Sequence, residues 1–299
     1  MKILLTGGSG FIGRALSPAL LAAGHELIVL SRKPERARRH LPAPVRLVAS
    51  LDDIASSEVI DAVINLAGEG IADRRWSERR KQQLLDSRVG VTRQLAALVQ
   101  RLEQRPGVLV NGSAVGFYGD AGSAELTEAS PAARRDFTYL LCDAWEQAAR
   151  EIGRLGVRVC IVRIGVVLGR GGMLARLLPV YRLGLGARLG QGDQWFSWIH
   201  LQDLVAVLMH CLEVETAEGV YNAVAPQPVS HRRFHERLAR ACRRPAPWAI
   251  PAPPLRWLLG EMAVLLLGGQ KVLPARLERE GFRFCFPDLD QALDDICRD

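Results

Sequence analysis

The sequence predicts an α/β fold: a doubly wound parallel sheet with helices on both faces, followed by a smaller C-terminal α/β cap region. Three observations support this prediction. Apolar runs of β-type composition alternate with amphipathic helical stretches from the first residues onward. The 299 residues can bury a full α/β core, and 48% apolar and 24% charged residues are typical of a globular protein. After residue 169 the alternation gives way to glycine- and aromatic-rich loops.

Short runs rich in Val, Ile and Leu are typical of strands buried inside a parallel sheet. Six such runs lie at residues 3–5, 27–30, 46–48, 62–66, 108–111 and 158–163. Longer stretches between them repeat apolar residues with helical spacing, so we predict helices there. These helices lie at residues 11–23, 78–104 and 137–155. Residues 1–169 are therefore expected to form one sheet-based domain.

The cap region is expected to span residues 170–299. It begins with a helix near residues 201–212 and a short strand within 219–225 that is expected to rejoin the first sheet, and a proline-rich stretch follows at 245–254. The apolar run at 262–267 is far shorter than the roughly 18 residues that cross a bilayer. We therefore predict a buried helix there and no membrane span.

Charge and cysteine content narrow the class of protein. The net charge is +7, but the arginines look dispersed over helical stretches, without the aromatic-interleaved basic motifs of nucleic-acid-binding proteins. We attribute the charge to a solvated surface and one phosphate pocket, and we expect a small-molecule ligand and no nucleic acid. The six cysteines form no C-x-x-C pair, which predicts reduced thiols and no metal. A strand begins at once, without the features of a secretory signal, and this favours the cytoplasm.

A glycine-rich segment, TGGSGFIG at residues 6–13, follows the first predicted strand and opens the first helix. In a Rossmann-type fold, the pyrophosphate of a dinucleotide meets backbone N–H groups and the positive helix end at this point. Gly7 would permit the tight turn and Gly10 the close approach of phosphates. Gly13 would let the helix pack on the strand, and Phe11 and Ile12 belong to the same turn. A tight turn without a ligand is the alternative.

The second predicted strand ends just before Ser31, Arg32 and Lys33. A site that prefers NAD(H) usually has an acidic side chain here, which binds the ribose hydroxyls. Arginine instead offers a planar fork for a 2′-phosphate, and lysine adds a positive charge. We therefore predict NADP(H) as the cofactor, with a solvated basic loop as the alternative.

Motifs along the whole chain resemble one family. The glycine turn, NLAG and SAVGFYG are similar to the corresponding segments of extended short-chain dehydrogenases/reductases. The segments that carry the narrower resemblance are NLAGEGIADRRW (65–76), SRVGVTR (87–93), SAVGFYG (113–119), CDAWE (142–146), RIGVVLGRGG (163–172), QWFSWIHLQDL (194–204), YNAVAPQPV (221–229) and GQKVLPARL (269–277). Together they resemble atypical members called epimerase family proteins, which are NAD-dependent epimerase/dehydratase-like. These members carry a C-terminal domain of unknown function, here at about residues 248–296.

The resemblance implies that NADP(H) binds in a crevice between the two regions. Leu66, Ala67 and Gly68 would contact the cofactor after the fourth strand. Arg88, within SRVGVTR, would face it from the following helix, and a surface ion pair is the alternative for this residue.

Ordinary members of the family carry Tyr-x-x-x-Lys on the helix after the fifth strand, where the tyrosine transfers a proton and the lysine lowers its pKa. These positions fall on Thr138 and Cys142, so the pair is absent, although Tyr139 is one residue away. The resemblance implies that Ser113 orients a substrate oxygen. Tyr118 is the predicted replacement for the proton donor, and packing of its ring at the loop is the alternative.

Gln194, Trp198 and His200, together with Trp195 and Asp203, lie in a segment that borders the substrate cleft in extended members. Converging aromatic and polar side chains suit a small ligand. We therefore predict Gln194, Trp198 and His200 as substrate contacts. Core packing of the tryptophans and a structural role for the histidine are the alternatives.

Two functions of different class stay open. The first is an NADP(H)-dependent oxidoreductase or epimerase-like enzyme that acts on a small carbonyl or hydroxyl compound with an unusual proton donor. The second is a catalytically silent NADP(H)-binding sensor or regulatory protein. The missing Tyr/Lys pair favours the second, whereas Ser113, Tyr118 and the polar-aromatic cleft favour the first. We favour the enzyme.

Overall fold

The structure is a computed structural model that describes residues 1–298. Its strands are β1 (Lys2–Thr6), β2 (Glu26–Leu30), β3 (Arg46–Val48), β4 (Ala62–Asn65), β5 (Val108–Ala114), β6 (Glu125–Leu126), β7 (Arg158–Ile164), β8 (Val166–Leu168), β9 (Ala187–Leu189), β10 (Trp195–Phe196), β11 (Trp198–His200), β12 (Gly219–Ala223), β13 (Val229–Ser230), β14 (Trp248–Ile250) and β15 (Lys271–Val272). Its α-helices are α1 (Phe11–Ala22), α2 (Pro34–Arg38), α3 (Glu78–Leu85), α4 (Val91–Arg101), α5 (Phe137–Gly153), α6 (Gly172–Arg182), α7 (Leu201–Glu213), α8 (His231–Ala241), α9 (Ala252–Leu259), α10 (Val264–Leu267), α11 (Ala275–Arg279) and α12 (Leu289–Cys297).

Seven strands form one parallel sheet in the order β3-β2-β1-β4-β5-β7-β12. All six predicted strands are present, and β12 is the seventh, on the edge beside β7. The register aligns Thr6 with Asn65 and Asn65 with Asn111, so β1 and β4 end level with each other, whereas β5 continues three residues further, to Ala114. The predicted doubly wound α/β fold is confirmed.

Helices bury apolar side chains against both faces of this sheet. On one face α1 and α7 contribute Leu16, Leu20, Leu204, Val207 and Leu208 to a core that includes Ile3, Leu5 and Val29. On the other face α4 and α5 contribute Leu95, Leu98, Val99, Ala149 and Ile152 to a core that includes Leu4, Ile28 and Val63. Alternate residues of β1 therefore serve opposite cores, as the two-residue period of a strand requires.

Two predicted helices differ from the observed ones. The stretch at residues 78–104 is divided into α3 and α4 by a π-helical segment, Asp86–Gly90. The apolar run at 262–267 forms the end of a 3₁₀ turn, Gly260–Ala263, and then α10, a single turn whose residues are only half-buried. The first stretch keeps helical apolar spacing on both sides of the π-helical segment, and the second is a short apolar run, which is why the sequence indicated one continuous helix in each case.

The C-terminal region is built from small elements around its own apolar core. Its paired strands are β8 with β11, β9 with β14, β10 with β13 and β6 with β15. The core contains Leu168, Leu174, Tyr181, Trp198, Phe234, Leu238, Leu289, Leu293 and Ile296. The proposed division into residues 1–169 and 170–299 stays a prediction, and β12 belongs to the main sheet although it follows α7 in the chain.

Candidate nucleotide and substrate site

The glycine turn connects the end of β1 to the start of α1. Gly7 has a positive φ of 71°, and a Cβ there would lie 2.3 Å from the carbonyl oxygen of Leu66. A Cβ on Gly13 would lie 2.5 Å from the Gly8 Cα, so both positions require glycine for close backbone contact. Gly10 is different, because it is exposed and a Cβ there would approach only the Gly7 carbonyl oxygen, at 3.1 Å. Gly10 also precedes the first residue of α1 and provides no side-chain cap, so N–H groups of the first helical turn are free to bind an anion.

The basic loop after β2 lies at the same edge of the sheet. The Lys33 backbone N–H donates to the Ser31 hydroxyl at 3.3 Å. The Arg32 side chain is 84% exposed, and its guanidinium lies 3.5 Å from a carboxylate oxygen of Glu69. A positive group with so much exposure is available to a ligand.

A buried polar network supports the loop after β4, which carries Leu66, Ala67 and Gly68. The Thr6 hydroxyl donates to the Asn65 side chain at 2.6 Å. The Asn65 amide in turn donates to Thr92 and Asn111, at 2.8 and 2.6 Å. Sequence reasoning missed this network, because its members are distant in the chain and polar side chains alone do not indicate their partners.

Arg88 lies in the π-helical segment and points beneath the β4 loop. Its guanidinium donates to the carbonyl oxygen of Glu69 at 3.0 Å, and its Cζ atom lies 5.4 Å from the Trp145 ring centroid. A Cβ on Gly68 would lie only 2.9 Å from that Cζ atom. Burial lowers the pKa of Arg88 from its usual value, but an arginine stays charged near neutral pH.

Ser113, near the carboxyl end of β5, is buried and donates its hydroxyl proton to Glu146 Oε1 at 2.8 Å. Glu146 has no exposed surface and forms a two-pronged ion pair with Arg163, with N–O distances of 2.8 and 2.9 Å. Arg150 adds a third contact to this carboxylate at 3.0 Å. The hydroxyl proton of Ser113 is thus committed to a carboxylate, and the Cys142 thiol is also within hydrogen-bonding reach of this hydroxyl.

Tyr118 does not face the crevice. It is fully buried, its hydroxyl lies 2.7 Å from Asn222 Oδ1 and 3.0 Å from the Thr127 carbonyl oxygen, and it accepts from Arg163 at 3.0 Å. Burial raises the pKa of Tyr118, an effect that Arg163 opposes. These contacts argue against the predicted role as proton donor, because three protein partners already occupy the hydroxyl.

The helix positions of the missing pair are filled by uncharged side chains. Thr138 donates to Asp136 at 2.6 Å, and burial raises the pKa of Cys142 to about 12, so this thiol is protonated at neutral pH. Tyr139 is half-buried, with its ring centroid 5.4 Å from that of Phe117. The Arg135 guanidinium carbon lies 5.6 Å from the Tyr139 ring, so this phenol is next to a positive charge.

The cap residues that were predicted to bind substrate make contacts within the protein. Trp198 is fully buried and donates to the Gln227 carbonyl oxygen at 3.1 Å. His200 is buried, caps α7 by accepting from the Gln202 N–H, and stacks on Phe286 with ring centroids 3.9 Å apart. These contacts match the core and structural alternatives and argue against ligand contact by either residue.

Gln194 and its neighbours also have protein partners. The Gln194 amide donates to the carbonyl oxygens of Leu189 and Leu266 at 3.2 and 2.9 Å. Asp203 accepts from the backbone N–H groups of Cys285 and Phe286 at 2.7 and 3.0 Å, and this fixes the C-terminal segment. The cluster of polar and aromatic side chains in this segment therefore lies where several helices and loops meet, and these side chains bind other parts of the protein.

A cavity of about 580 Å³ lies between α3, the start of α5 and the 3₁₀ turn before α10, and none of the predicted site residues lines it. Apolar side chains that border it include Trp76, Leu85, Phe137, Leu140 and Val264. Within residues 1–298 no group of three or more His, Cys, Asp or Glu side chains could hold a metal ion. In the same part of the chain, no helix is both long and apolar enough to cross a membrane.

A parallel sheet with this strand order, a glycine turn after β1 and a basic loop after β2 define a Rossmann-type dinucleotide-binding protein of the extended short-chain dehydrogenase/reductase class. The chain belongs to the NAD dependent epimerase/dehydratase family, whose model matches residues 3–223. A second model, a domain of unknown function (DUF1731), matches residues 250–296. The resemblance found in the sequence is thereby confirmed.

Relatives match the chain over nearly its whole length. The epimerase family protein SDR39U1 of Bos taurus is 40% identical, over 99% of both chains. The crystal structure of human SDR39U1 (isoform 2) with NADPH has a TM-score of 0.89 at 38% identity and covers 99% of both chains. A nucleoside-diphosphate sugar epimerase from Corynebacterium glutamicum has a TM-score of 0.79 at 32% identity, and the match covers 99% of this chain and 58% of that one.

Proposed function

We propose that the chain binds NADP(H), with the pyrophosphate at the glycine turn and the 2′-phosphate at the basic loop. The exposed Gly10 leaves backbone N–H groups of α1 accessible, and the exposed Arg32 can turn its guanidinium to a phosphate. The proposed cofactor contacts are Gly7, Gly10, Phe11, Ile12, Gly13, Ser31, Arg32, Lys33, Leu66, Ala67, Gly68 and Arg88. The NADPH in the human structure agrees with this choice of cofactor.

The function that the geometry supports best is an NADP(H)-dependent oxidoreductase or epimerase-like enzyme for a small carbonyl or hydroxyl compound, acting in the cytoplasm. The cofactor would supply hydride transfer. The observation that carries the proposal is the position of Ser113, near the carboxyl end of β5 and two residues beyond the level at which β1 and β4 end. Substrates of open parallel sheets bind at these ends.

The hydrogen bonds of Ser113 define what it can do for a substrate. Its proton points to Glu146, and the ion pair with Arg163 keeps that carboxylate in place. The Ser113 oxygen therefore accepts from a substrate hydroxyl more readily than it donates to a carbonyl. We accordingly expect the hydroxyl form of the substrate to be held more firmly than its carbonyl form.

For proton transfer we propose Tyr139 in place of Tyr118. Tyr139 is half-buried near the start of α5, whereas the Tyr118 hydroxyl is occupied by Asn222, Thr127 and Arg163. Because no lysine is adjacent to favour removal of a proton, we expect Tyr139 to act as an acid rather than as a base. Reduction is therefore expected to be faster than oxidation.

The test is oxidation of bound NADPH by the purified chain with a panel of carbonyl compounds that includes nucleotide sugars. For a substrate found in this way, Tyr139→Phe should lower the single-turnover rate roughly a hundredfold or more, the usual loss when a general acid is removed. Tyr118→Phe, the matched control, should change the free energy of unfolding and leave the rate within about threefold. A large rate loss in Tyr118→Phe alone would restore the original assignment.

A catalytically silent NADP(H)-binding protein is the second candidate. The observation that favours it is the protonated, buried thiol of Cys142 at the place of the lysine, together with the occupied hydroxyl of Tyr118. In that case NADPH copurifies with the chain but no member of the carbonyl panel oxidises it. Binding of NADPH would still raise the melting temperature of the chain, because a ligand that binds only the folded state stabilises it. A sensor needs this stabilisation of one state and no turnover.

A further inference from the structure

Two segments of the cap region are rich in arginine. Residues 170–192 and 240–260 contain four arginines each and no Asp or Glu, so together they carry a charge of +8. Outside the cap region, residues 31–40 form another basic stretch, with a charge of +4. Within the cap region, the arginines are thus less dispersed than the sequence suggested.

The fold brings the two segments together. Strands β9 and β14 pair in parallel, with Trp248 opposite Ala187. The Arg244 guanidinium donates to the carbonyl oxygen of Arg182 at 3.0 Å, so the loop before β14 contacts the end of α6. The loop before β14 and β14 itself therefore lie against the end of α6 and β9, and α9 follows β14 directly in the chain.

The surface of the two segments exposes large apolar side chains. Ten large hydrophobic residues are exposed within the described part of the chain, and seven of them lie in these two segments. They are Val180, Leu183, Leu185, Trp248, Ile250, Trp257 and Leu258. In α9 the inward residue is Leu255, which is 8% exposed, whereas Trp257 is 83% and Leu258 is 62% exposed. Exposed apolar clusters of this kind mark interaction sites.

The positive charge and the exposed apolar side chains of this surface favour one kind of partner over the others. A second copy of the chain is disfavoured, because a symmetric contact through this surface would bring two arginine-rich faces together. Tryptophan and leucine beside arginine are typical of protein surfaces that enter the headgroup layer of a membrane. Arginine guanidinium groups bind the phosphates of anionic lipids. A nucleic acid would account for the charge but not for the exposed leucines.

We propose that this surface, which we name the arginine–tryptophan surface (residues 180–185 and 243–258), docks reversibly on an anionic lipid bilayer. Trp248, Trp257 and Leu258 would enter the interfacial layer, while Arg243, Arg244 and Arg256 would contact lipid phosphates. The attachment is peripheral. Six arginines, among them Arg243 and Arg244, line a cavity of about 980 Å³ beside α12. Asp290 and Asp294 also line it, and Asp290 is paired with Arg237 at 2.6 Å.

The test is co-sedimentation of the full chain with lipid vesicles. We expect binding to vesicles of equal parts phosphatidylcholine and phosphatidylglycerol, at least tenfold weaker binding to phosphatidylcholine alone, and weakening by salt. Each arginine near an anionic leaflet strengthens binding about fivefold, so Arg243→Gln with Arg244→Gln should weaken it roughly 10- to 30-fold. Trp257→Ser with Leu258→Ser should weaken it at least tenfold, since apolar burial contributes separately.

Matched controls remove equivalent groups elsewhere. Val59→Ser removes an exposed apolar side chain, and Arg79→Gln with Arg93→Gln removes two exposed arginines from α3 and α4. These variants should bind vesicles like the unmodified chain, and all variants should keep their NADPH affinity and melting temperature.

Three results would overturn the proposal. The first is equal binding to neutral and anionic vesicles, or none to either. The second is a dimer that becomes a monomer in the Trp257→Ser, Leu258→Ser variant. The third is DNA binding as tight as vesicle binding that this variant leaves unchanged.

Discussion

The glycine turn, at the sheet end of the molecule, and residues 198–203, at its cap end, use polar residues in opposite ways. At the sheet end, Gly10 and Arg32 are exposed and have few protein contacts. At the cap end, Trp198 and His200 are buried and Asp203 accepts two backbone hydrogen bonds. A ligand can bind only where a group still has capacity to contact it. A polar residue therefore indicates a binding site only if it has hydrogen-bonding capacity that the protein does not use. The residue type alone does not show whether such capacity is left.

The largest effect is expected from Gly10→Val at the open end. A Cβ there would meet only one atom, the Gly7 carbonyl oxygen at 3.1 Å, and a small shift of the turn would relieve this tight contact, so the fold should persist. The branched side chain would occupy the path of the pyrophosphate, and NADPH binding should be lost. Calorimetric titration of the folded variant measures this. Unchanged affinity would show that the turn does not contact the cofactor.

The next effect concerns stability at the closed end. Asp203→Ala would leave the backbone N–H groups of Cys285 and Phe286 without their acceptor, so the free energy of unfolding should fall by about 3 kcal/mol. Urea denaturation measures the change. Asp294→Ala, at an exposed position of α12, is the control and should lose less than about 0.5 kcal/mol. If Asp203→Ala weakened NADPH binding without loss of stability, the contrast between the two ends would be wrong.

A smaller effect is expected for cofactor choice. A charge-assisted contact contributes roughly 1.5 to 3 kcal/mol, so Arg32→Ala should remove at least a tenfold preference for NADPH over NADH. Both affinities would be compared with those of Arg93→Ala, which changes an exposed arginine on α4. Equal affinity of the unmodified chain for the two cofactors would contradict the assignment of the basic loop.

The smallest effect is a pH dependence from His200. Burial lowers its pKa from the usual 6.5 in the folded chain, so the unfolded chain binds the proton more readily. The contribution of His200 to stability is therefore present above about pH 6.5 and is lost as the pH falls below that value. His200→Gln should flatten the profile measured by urea denaturation, whereas exposed His40→Gln should not. Identical profiles for both variants would exclude His200 as the source.

Most of the fold could be predicted from local sequence patterns. The apolar runs predicted all six strands because a buried parallel strand needs only short-range composition, and the glycine turn showed where the crevice opens. The π-helical segment at Asp86–Gly90 was not predictable, because the apolar spacing on either side of it is still helical.

The catalytic end of the site was harder to predict. Tyr118 and Ser113 follow the predicted end of the fifth strand, but their partners lie far along the chain. Ser113 donates to Glu146, and the Tyr118 hydroxyl contacts Arg163 and Asn222. Whether a hydroxyl faces a ligand or the interior depends on such distant partners. Position in a motif could therefore place these residues near the crevice without giving the direction of their side chains.

The late strand β12 has a consequence for how the molecule is made. The Asn222 side-chain oxygen accepts from the Tyr118 hydroxyl, its backbone N–H donates to Glu128, and its side-chain amide donates to the Leu273 carbonyl oxygen. During translation the ribosome must release residues 219–223 before the sheet acquires its last edge. Until then β7 is an open strand edge in the nascent chain, and this is the stage at which a chaperone would protect the protein from aggregation.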